Sequence, residues 1–322
     1  MKQPVLIDSS FVEHHTSFNT LIEVLKMSFA ENSTIVPERH HHHFPNPEVK
    51  QDSTLLLMPA WNPSADAGVK VVTVSPANGA FDLPSIQGSY LYLDATTGAL
   101  KAIIEAKSLT AKRTAATSAL ASSFLSRPEA NSLLMIGTGA LSSNLIQAHC
   151  AVRPIEQVYI WGRDKAKARV VAEKVRSKRI EVNTITTIEA VLSKVDIVSC
   201  ATLSKTPLVL GKHLSPGQHI DLVGAYKPDM READDAVMQK ASIFLDSHKS
   251  GLKESGDIVI PLNQGVIKAE DLRADLFDLC SNKKKGRRSE SEITVFKSVG
   301  HALEDLVAAK YFYQQYVDKA NL

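Results

Sequence analysis

Hydrophobic and polar positions change rhythm along the chain. Residues 18–29 place Leu21, Ile22, Leu25 and Phe29 at helical spacing. A His- and Pro-rich stretch follows, from Pro37 to Pro47. Beyond it, short apolar runs at 54–58, 69–74, 90–94 and 100–104 predict strands. The last two flank Ala95-Thr96-Thr97-Gly98, a plausible hairpin turn. Residues 108–125 are Ala-rich and free of Gly and Pro, so they predict a helix.

The middle of the chain alternates. Strands are expected at 132–136, 157–161, 181–185, 196–200, 219–223 and 241–245. Helical segments intervene: one ending near Ala151, a charged one at 165–176 and a short one at 187–192. Strand and helix alternating at this spacing mean a parallel sheet with helices on its faces, an α/β fold. A polar loop at 281–288, a short strand at 293–296 and an amphipathic helix at 299–316 close the chain.

The sharpest local signal is Gly137-Thr138-Gly139-Ala140-Leu141-Ser142, placed between a strand and a helix. This is where a dinucleotide fingerprint belongs. Gly137 would make the tight turn, Gly139 would admit the pyrophosphate, and the helix N-terminus would hold the anion. Ser142 stands where the third glycine is usual. The competing reading is a Gly-rich turn with no nucleotide. The second strand ends in Trp161-Gly162-Arg163-Asp164. An Asp or Glu at that tip would select NAD, an Arg nearby NADP. Arg163 can grip a 2′-phosphate in a bidentate fork, and Asp164 suits the N-cap of the next helix. NADP(H) is therefore expected, with NADH possible. The alternative for Arg163 is a solvated surface charge.

Composition narrows the classes. In 322 residues, Lys+Arg 37 against Asp+Glu 35 leaves a formal net charge of +2, so no basic excess points to nucleic acid. The run at 283–288 has no interleaved aromatics and reads as a solvated loop. No apolar run approaches the roughly 20 residues of a membrane helix. No signal peptide is expected from Met1 to Ser10, which lacks a long apolar core. Cys150, Cys200 and Cys280 are odd in number and far apart, which fits a reducing cytoplasm better than a disulfide framework or a zinc site. His40–His43 would alternate faces in a strand, so at most two converge and no metal is expected. Lys70 stands out because it lies mid-strand among Val69, Val71 and Val72, where a bare ammonium is hard to bury.

Several stretches resemble the ornithine cyclodeaminase/mu-crystallin family. They are 55–61 (LLLMPAW), 68–78 (GVKVVTVSPAN), 83–94 (LPSIQGSYLYLD), 109–118 (LTAKRTAATS), the GTGA loop, 223–235 (VGAYKPDMREADD) and 293–305 (ITVFKSVGHALED). They are collinear over nearly the whole chain. The resemblance implies a substrate-binding and dimerisation domain at 1–112, smaller and of α+β type, completed by 299–322. Residues 113–298 would form a Rossmann-type doubly wound parallel sheet that binds NAD(P). It further implies that Arg39, Lys70 and Arg113 meet a substrate carboxylate. Ser85, Arg113, Gly139, Ala140, Thr202, Val223, Gly224, Tyr226 and Ser298 would touch the cofactor, alongside Gly137 and Arg163.

One departure bears on the reaction. Cyclodeaminases carry an Asp in a Gly-Gly-Asp or Gly-Ala-Asp stretch after the fifth strand, and here Gly224-Ala225 is followed by Tyr226. A phenol with an ordinary pKa near ~10 is a poor substitute for that carboxylate. The stretch 228–232 resembles the reductase branch of the family, and Arg39–His42 is similar to bacterial Δ1-pyrroline-2-carboxylate reductases. The expected activity is NADPH-dependent reduction of a small cyclic imino acid, Δ1-pyrroline-2-carboxylate, to L-proline. The six-membered Δ1-piperideine-2-carboxylate, giving L-pipecolate, is a further candidate. Lys70 would anchor the carboxylate or deliver the imine proton, and is the expected catalytic residue. The alternatives are an ornithine cyclodeaminase, an amino-acid dehydrogenase of the same fold, or a non-catalytic mu-crystallin-like binding protein. A homodimer without nucleic-acid or membrane partners is expected.

Overall fold

The computed structural model describes residues 3–320. The first elements are β1 (Val5–Ile7), α1 (Ser9–His15), α2 (Phe18–Glu31), β2 (His40–Phe44), β3 (Ser53–Trp61), β4 (Asp66–Val74), β5 (Ile86–Asp94), β6 (Leu100–Glu105) and α3 (Ala106–Leu125). Next come β7 (Ser132–Ile136), α4 (Ser142–Val152), β8 (Gln157–Trp161), α5 (Lys165–Val175), β9 (Glu181–Ile185), α6 (Glu189–Leu192), β10 (Ile197–Cys200) and β11 (His219–Leu222). The rest are α7 (Asp235–Lys240), β12 (Ser242–Leu245), α8 (His248–Glu254), α9 (Gly256–Asn263), β13 (Leu272–Asp275), α10 (Leu276–Cys280), β14 (Thr294–Lys297) and α11 (Ala302–Ala320). The chain divides into two compact units. Unit 1 holds the residues up to 28, 32–113 and those from 301 on; unit 2 holds 29–31 and 114–300. The main divisions thus fall at 113/114 and 300/301, where 112/113 and 298/299 were expected.

Unit 1 is built on a six-stranded sheet in the order β1-β6-β5-β4-β3-β2. Only β1 runs parallel to its neighbour; β2 to β6 form antiparallel pairs. The turn between β5 and β6 has Gly98 at φ +71, and Asp94 Oδ1 accepts from the Thr96 and Thr97 amides. The register sets Met58, Lys70 and Tyr90 side by side across β3, β4 and β5. α11 packs on this sheet and buries Leu303, Leu306 and Phe312. α3 starts two residues earlier than its pattern predicts, because the Glu105 carboxylate accepts from the Lys107 and Ser108 amides and caps it.

Unit 2 is a sheet of eight parallel strands, ordered β13-β12-β14-β11-β10-β7-β8-β9. Chain order runs outward from β7 through β8 and β9 on one side and through β10 and β11 on the other, where β14 is inserted before β12 and β13, so the topological switch lies between β7 and β10. Ligands of such sheets bind beyond the carboxyl ends of the strands at that point. Strands β7, β10, β11, β12 and β14 are buried throughout, as helix-covered parallel strands must be. Sequence patterning missed β13, whose Leu-Arg-Ala-Asp is too short and polar to signal a strand. The expected closing helix begins at Ala302 instead of 299. Asp246 Oδ2 takes the Val299 and Gly300 amides, both at 2.7 Å, and holds that segment out of the helix.

Candidate active site

In unit 1, strand alternation turns Lys70 into the core, where it is 4% exposed. Its Nζ donates to Asp305 Oδ1 at 2.9 Å and lies 2.8 Å from Oδ2. Arg113, on α3, donates from Nε to Asp305 Oδ1 at 2.9 Å and from Nη1 to Glu304 Oε2 at 2.5 Å. Both acids sit in the first turn of α11 with no solvent exposure. Two cations therefore face two carboxylates out of water, an arrangement that survives burial only through this pairing. Burial pulls the Lys70 ammonium down to about 8; Asp305 raises it, while the Arg113 and Arg39 charges lower it. Asp305 is held below the ordinary carboxylate range by Arg113 and Lys70, against its own burial.

Arg39 lies half-buried just ahead of β2, close enough for its charge to act on Lys70. The structure thus brings Lys70 and Arg113 together on Asp305, with the Arg39 charge felt at Lys70. Ser85 lies apart, on the exposed loop ahead of β5, where its carbonyl accepts from Ser75 N. The histidines of β2 are exposed. Among the described residues no group of three or more His, Cys, Asp or Glu could hold a metal ion. Tyr90 is fully buried beside Lys70, its hydroxyl carries no hydrogen bond, and burial raises its pKa well above the usual phenol value.

Sequence reasoning passed over Glu304 and Asp305, although both fall inside a stretch that carried the family resemblance. Acids in a helix's first turn ordinarily face solvent and the helix dipole. The available signal was their setting among Ala302, Leu303, Leu306 and Val307, an apolar surface with no room for solvated charge.

In unit 2, the loop from Gly137 to Leu141 leads into α4. Gly137 has φ +120, and a Cβ there would lie 2.5 Å from the Ala201 carbonyl oxygen. Only glycine meets both conditions. Gly139 is different: a Cβ added there would meet nothing within 4 Å. No side chain caps α4, so its first amides keep their donor capacity. Ser142 is buried and donates from Oγ to the Gly137 carbonyl at 3.0 Å, which accounts for a small polar residue at the third glycine position. These features fit a dinucleotide pyrophosphate: an uncapped helix N-terminus behind a glycine with clearance around it.

Ala140 is exposed on the same loop. Thr202 follows β10, the neighbour of β7 across the switch, and Val223 and Gly224 follow β11, the next strand out. The Val223 amide donates to the Cys200 carbonyl at 2.8 Å. The Thr202 hydroxyl is turned inward and donates to Glu232 Oε1 at 2.8 Å. Arg163 is exposed beyond β8, while Asp164 caps α5 by accepting from the Ala166 and Lys167 amides. Both capping bonds fall on Asp164 Oδ1. Ser298 is buried and donates to Asp246 Oδ2 at 3.2 Å. Tyr226 is exposed, with the Lys227 amine 5.7 Å from its ring centroid.

Fold and loop together define an α/β protein of the nicotinamide-dinucleotide type, with a Rossmann sheet and a second unit carrying a buried cation cluster. The chain belongs to the ornithine cyclodeaminase/mu-crystallin family, whose model matches residues 2–320. It is 38% identical over 280 residues to a Δ1-pyrroline-2-carboxylate reductase of Paracoccus denitrificans, covering 85% of this chain and 89% of the relative. Among solved structures it is similar to the Thermococcus litoralis Δ1-pyrroline-2-carboxylate reductase in complex with NADH and L-proline. That likeness has a TM-score of 0.90 and 33% identity, over 98% of both chains. An archaeal alanine dehydrogenase dimer with bound NAD aligns at TM-score 0.89 and 26% identity, over 98% of this chain and 97% of that one.

Proposed function

We propose that this protein is an NAD(P)H-dependent ketimine reductase that converts Δ1-pyrroline-2-carboxylate to L-proline. The observation that carries the reading is the Lys70–Arg113–Asp305 cluster, in a chain whose relatives are named for this reaction. The substrate pairs a carboxylate with a C=N bond. Arg39 and the Arg113 fork supply cations for the carboxylate, and Arg113 still has Nη2 beyond its bonds to Glu304 and Asp305. Lys70 holds a proton at Nζ, and with a pKa of about 8 it is charged yet close to release at neutral pH. Donation to the imine nitrogen makes an iminium, whose carbon is the electrophile. When bound, the dihydronicotinamide supplies a hydride to that carbon. Asp305 keeps the Lys70 amine aimed and Lys70 regains its proton from water.

Arg163 favours NADPH over NADH, although the similar solved structures are described with NADH or NAD. The archaeal alanine dehydrogenase supports a second reading, reductive amination of a 2-oxo acid, and its description as a dimer supports a homodimer here. Cys150, Cys200 and Cys280 form no disulfide, which supports a cytoplasmic setting. The test is oxidation of NADPH with Δ1-pyrroline-2-carboxylate, with NADH in parallel and pyruvate plus ammonia as the competing substrates. Turnover of the imine with NADPH preferred is the expected result. Turnover of pyruvate and ammonia alone replaces the reductase with the dehydrogenase. Ammonia release from L-ornithine without imine reduction restores the cyclodeaminase.

A further inference from the structure

Unit 2 buries three charges that the mechanism above does not use. Glu232 Oε1 accepts from Thr202 N at 2.6 Å and from Thr202 Oγ1 at 2.8 Å. The amides of Glu232 and Ala233 donate to Asp257 Oδ1 at 2.8 and 3.1 Å. Lys297 Nζ donates to the Gly224 carbonyl at 2.6 Å and lies 3.3 Å from Asp257 Oδ2. Glu232, Asp257 and Lys297 have no solvent exposure. Thr202 follows β10, Gly224 follows β11, and Lys297 ends β14, so one cluster fixes the chain just beyond three adjacent strands. The fit is close: a Cβ on Gly224 would lie 2.0 Å from the Thr202 carbonyl oxygen and 2.5 Å from Glu232 Oε1.

Apolar side chains of similar volume could fill this space with less desolvation cost. What they could not do is hold a particular amide, hydroxyl and carbonyl in set directions. Those groups stand at the carboxyl edge beside the switch point, where a doubly wound sheet receives its dinucleotide. We propose that Glu232 is a positioning residue for the nicotinamide nucleotide, setting the Thr202 and Gly224 segments from within while Asp257 and Lys297 hold it in place. The inference rests on the dinucleotide reading of unit 2.

A pH signature follows. Burial pushes the Glu232 carboxyl up to about 7, with Asp257 adding to the rise and Lys297 opposing it. The charged and titratable groups facing it are Asp257 from α9, Lys297 from β14 and Cys200 from β10, whose thiol burial keeps protonated. Its Oε2 is buried without a hydrogen bond. Ionised Glu232 accepts from Thr202 through charge-assisted bonds; the protonated acid accepts more weakly. Nucleotide affinity should therefore be higher at pH 8 than at pH 6.

The experiment is fluorescence titration with NADH and with NADPH between pH 6 and 8, on wild type, E232A and E232Q, with thermal melting of each. Expected are at least about tenfold weaker binding in E232A and a loss of roughly two- to fivefold in E232Q. E232Q should also lose the pH dependence and match wild type at pH 6. Should E232A fail to fold, the pH comparison of E232Q with wild type decides alone. A folded E232A with wild-type affinity overturns the proposal, as does an E232Q that keeps the wild-type pH dependence. A wild-type protein that binds neither nucleotide overturns the dinucleotide reading itself, a failure distinct from that of Glu232.

Discussion

Asp305→Asn tests the proton-donor assignment of Lys70 most directly. The Asp305 carboxylate accepts from Lys70, and it supports the ammonium both by charge and by hydrogen bond. The amide is nearly isosteric and keeps one acceptor oxygen, but it removes the charge. Loss of an opposite charge in direct contact shifts a pKa by about 1–3 units. Lys70 starts at about 8, so the substitution moves it to roughly 5–7. The sign is fixed by the role: a donor must be protonated, so activity is present below the pKa and lost as pH rises through it. Wild type should therefore lose kcat/KM above pH 8. At pH 7.5 about three quarters of wild-type Lys70 is charged, against about 3% for a pKa of 6, a loss of roughly 25-fold.

The assay is NADPH oxidation by Δ1-pyrroline-2-carboxylate from pH 5.5 to 9.5, fitted for the alkaline limb of kcat/KM. Breaking a buried pair costs about 3–5 kcal/mol, so D305N should melt earlier, and the limb is read only where the protein is folded. E304Q is the control: Glu304 accepts from Arg113 Nη1, so its limb should stay near 8 while KM for the imino acid rises. An alkaline limb that stays near 8 in folded D305N would refute Lys70 as the donor and leave it an anchor for the carboxylate.

Other substitutions separate the remaining roles. K70M should lower kcat by about 10²- to 10⁴-fold with nucleotide affinity unchanged, as fluorescence titration would show. R163Q should weaken kcat/KM for NADPH by roughly tenfold or more and leave NADH unaffected; equal losses with both would remove Arg163 from the 2′-phosphate. G139A should fold with an unchanged melting temperature, since its Cβ meets nothing within 4 Å, yet bind nucleotide at least about tenfold more weakly. G137A should instead melt earlier, because its backbone is at φ +120 and its Cβ would strike the Ala201 carbonyl.

The parallel sheet was legible because buried strands such as Leu133–Ile136 and Val158–Ile160 are continuous apolar runs between turn signals. Elements fixed by partners distant in sequence were not. β1 is three residues long and exists through its pairing with β6, and β13 exists through β12. α11 starts late because Asp246, over fifty residues upstream, takes the Val299 and Gly300 amides ahead of it. The site divides along the same line. Gly137, Gly139 and Lys70 carried signals of their own: a spacing, and a cation in an apolar strand. Glu304, Asp305 and Glu232 read as ordinary surface acids, since their burial depends on which helix face meets which sheet.

The Tyr226 position bears on the choice of reaction through proton count. Cyclodeamination moves several protons and calls for a carboxylate where Tyr226 stands. Tyr226 is exposed, and the nearest acids in sequence are committed elsewhere: Asp229 is exposed and paired with Lys205 at 2.7 Å, and Glu232 is turned inward to Thr202. Ketimine reduction needs one proton and one hydride. Lys70 is the buried cation whose pKa falls to about 8, while Arg113 rises above its ordinary value and serves only as a charge. A single titrating donor beside fixed guanidinium charges matches a one-proton reaction. It also argues against a purely ligand-binding role, for which a permanently charged arginine in place of Lys70 would hold a carboxylate as well and with a smaller tendency to lose its charge on burial.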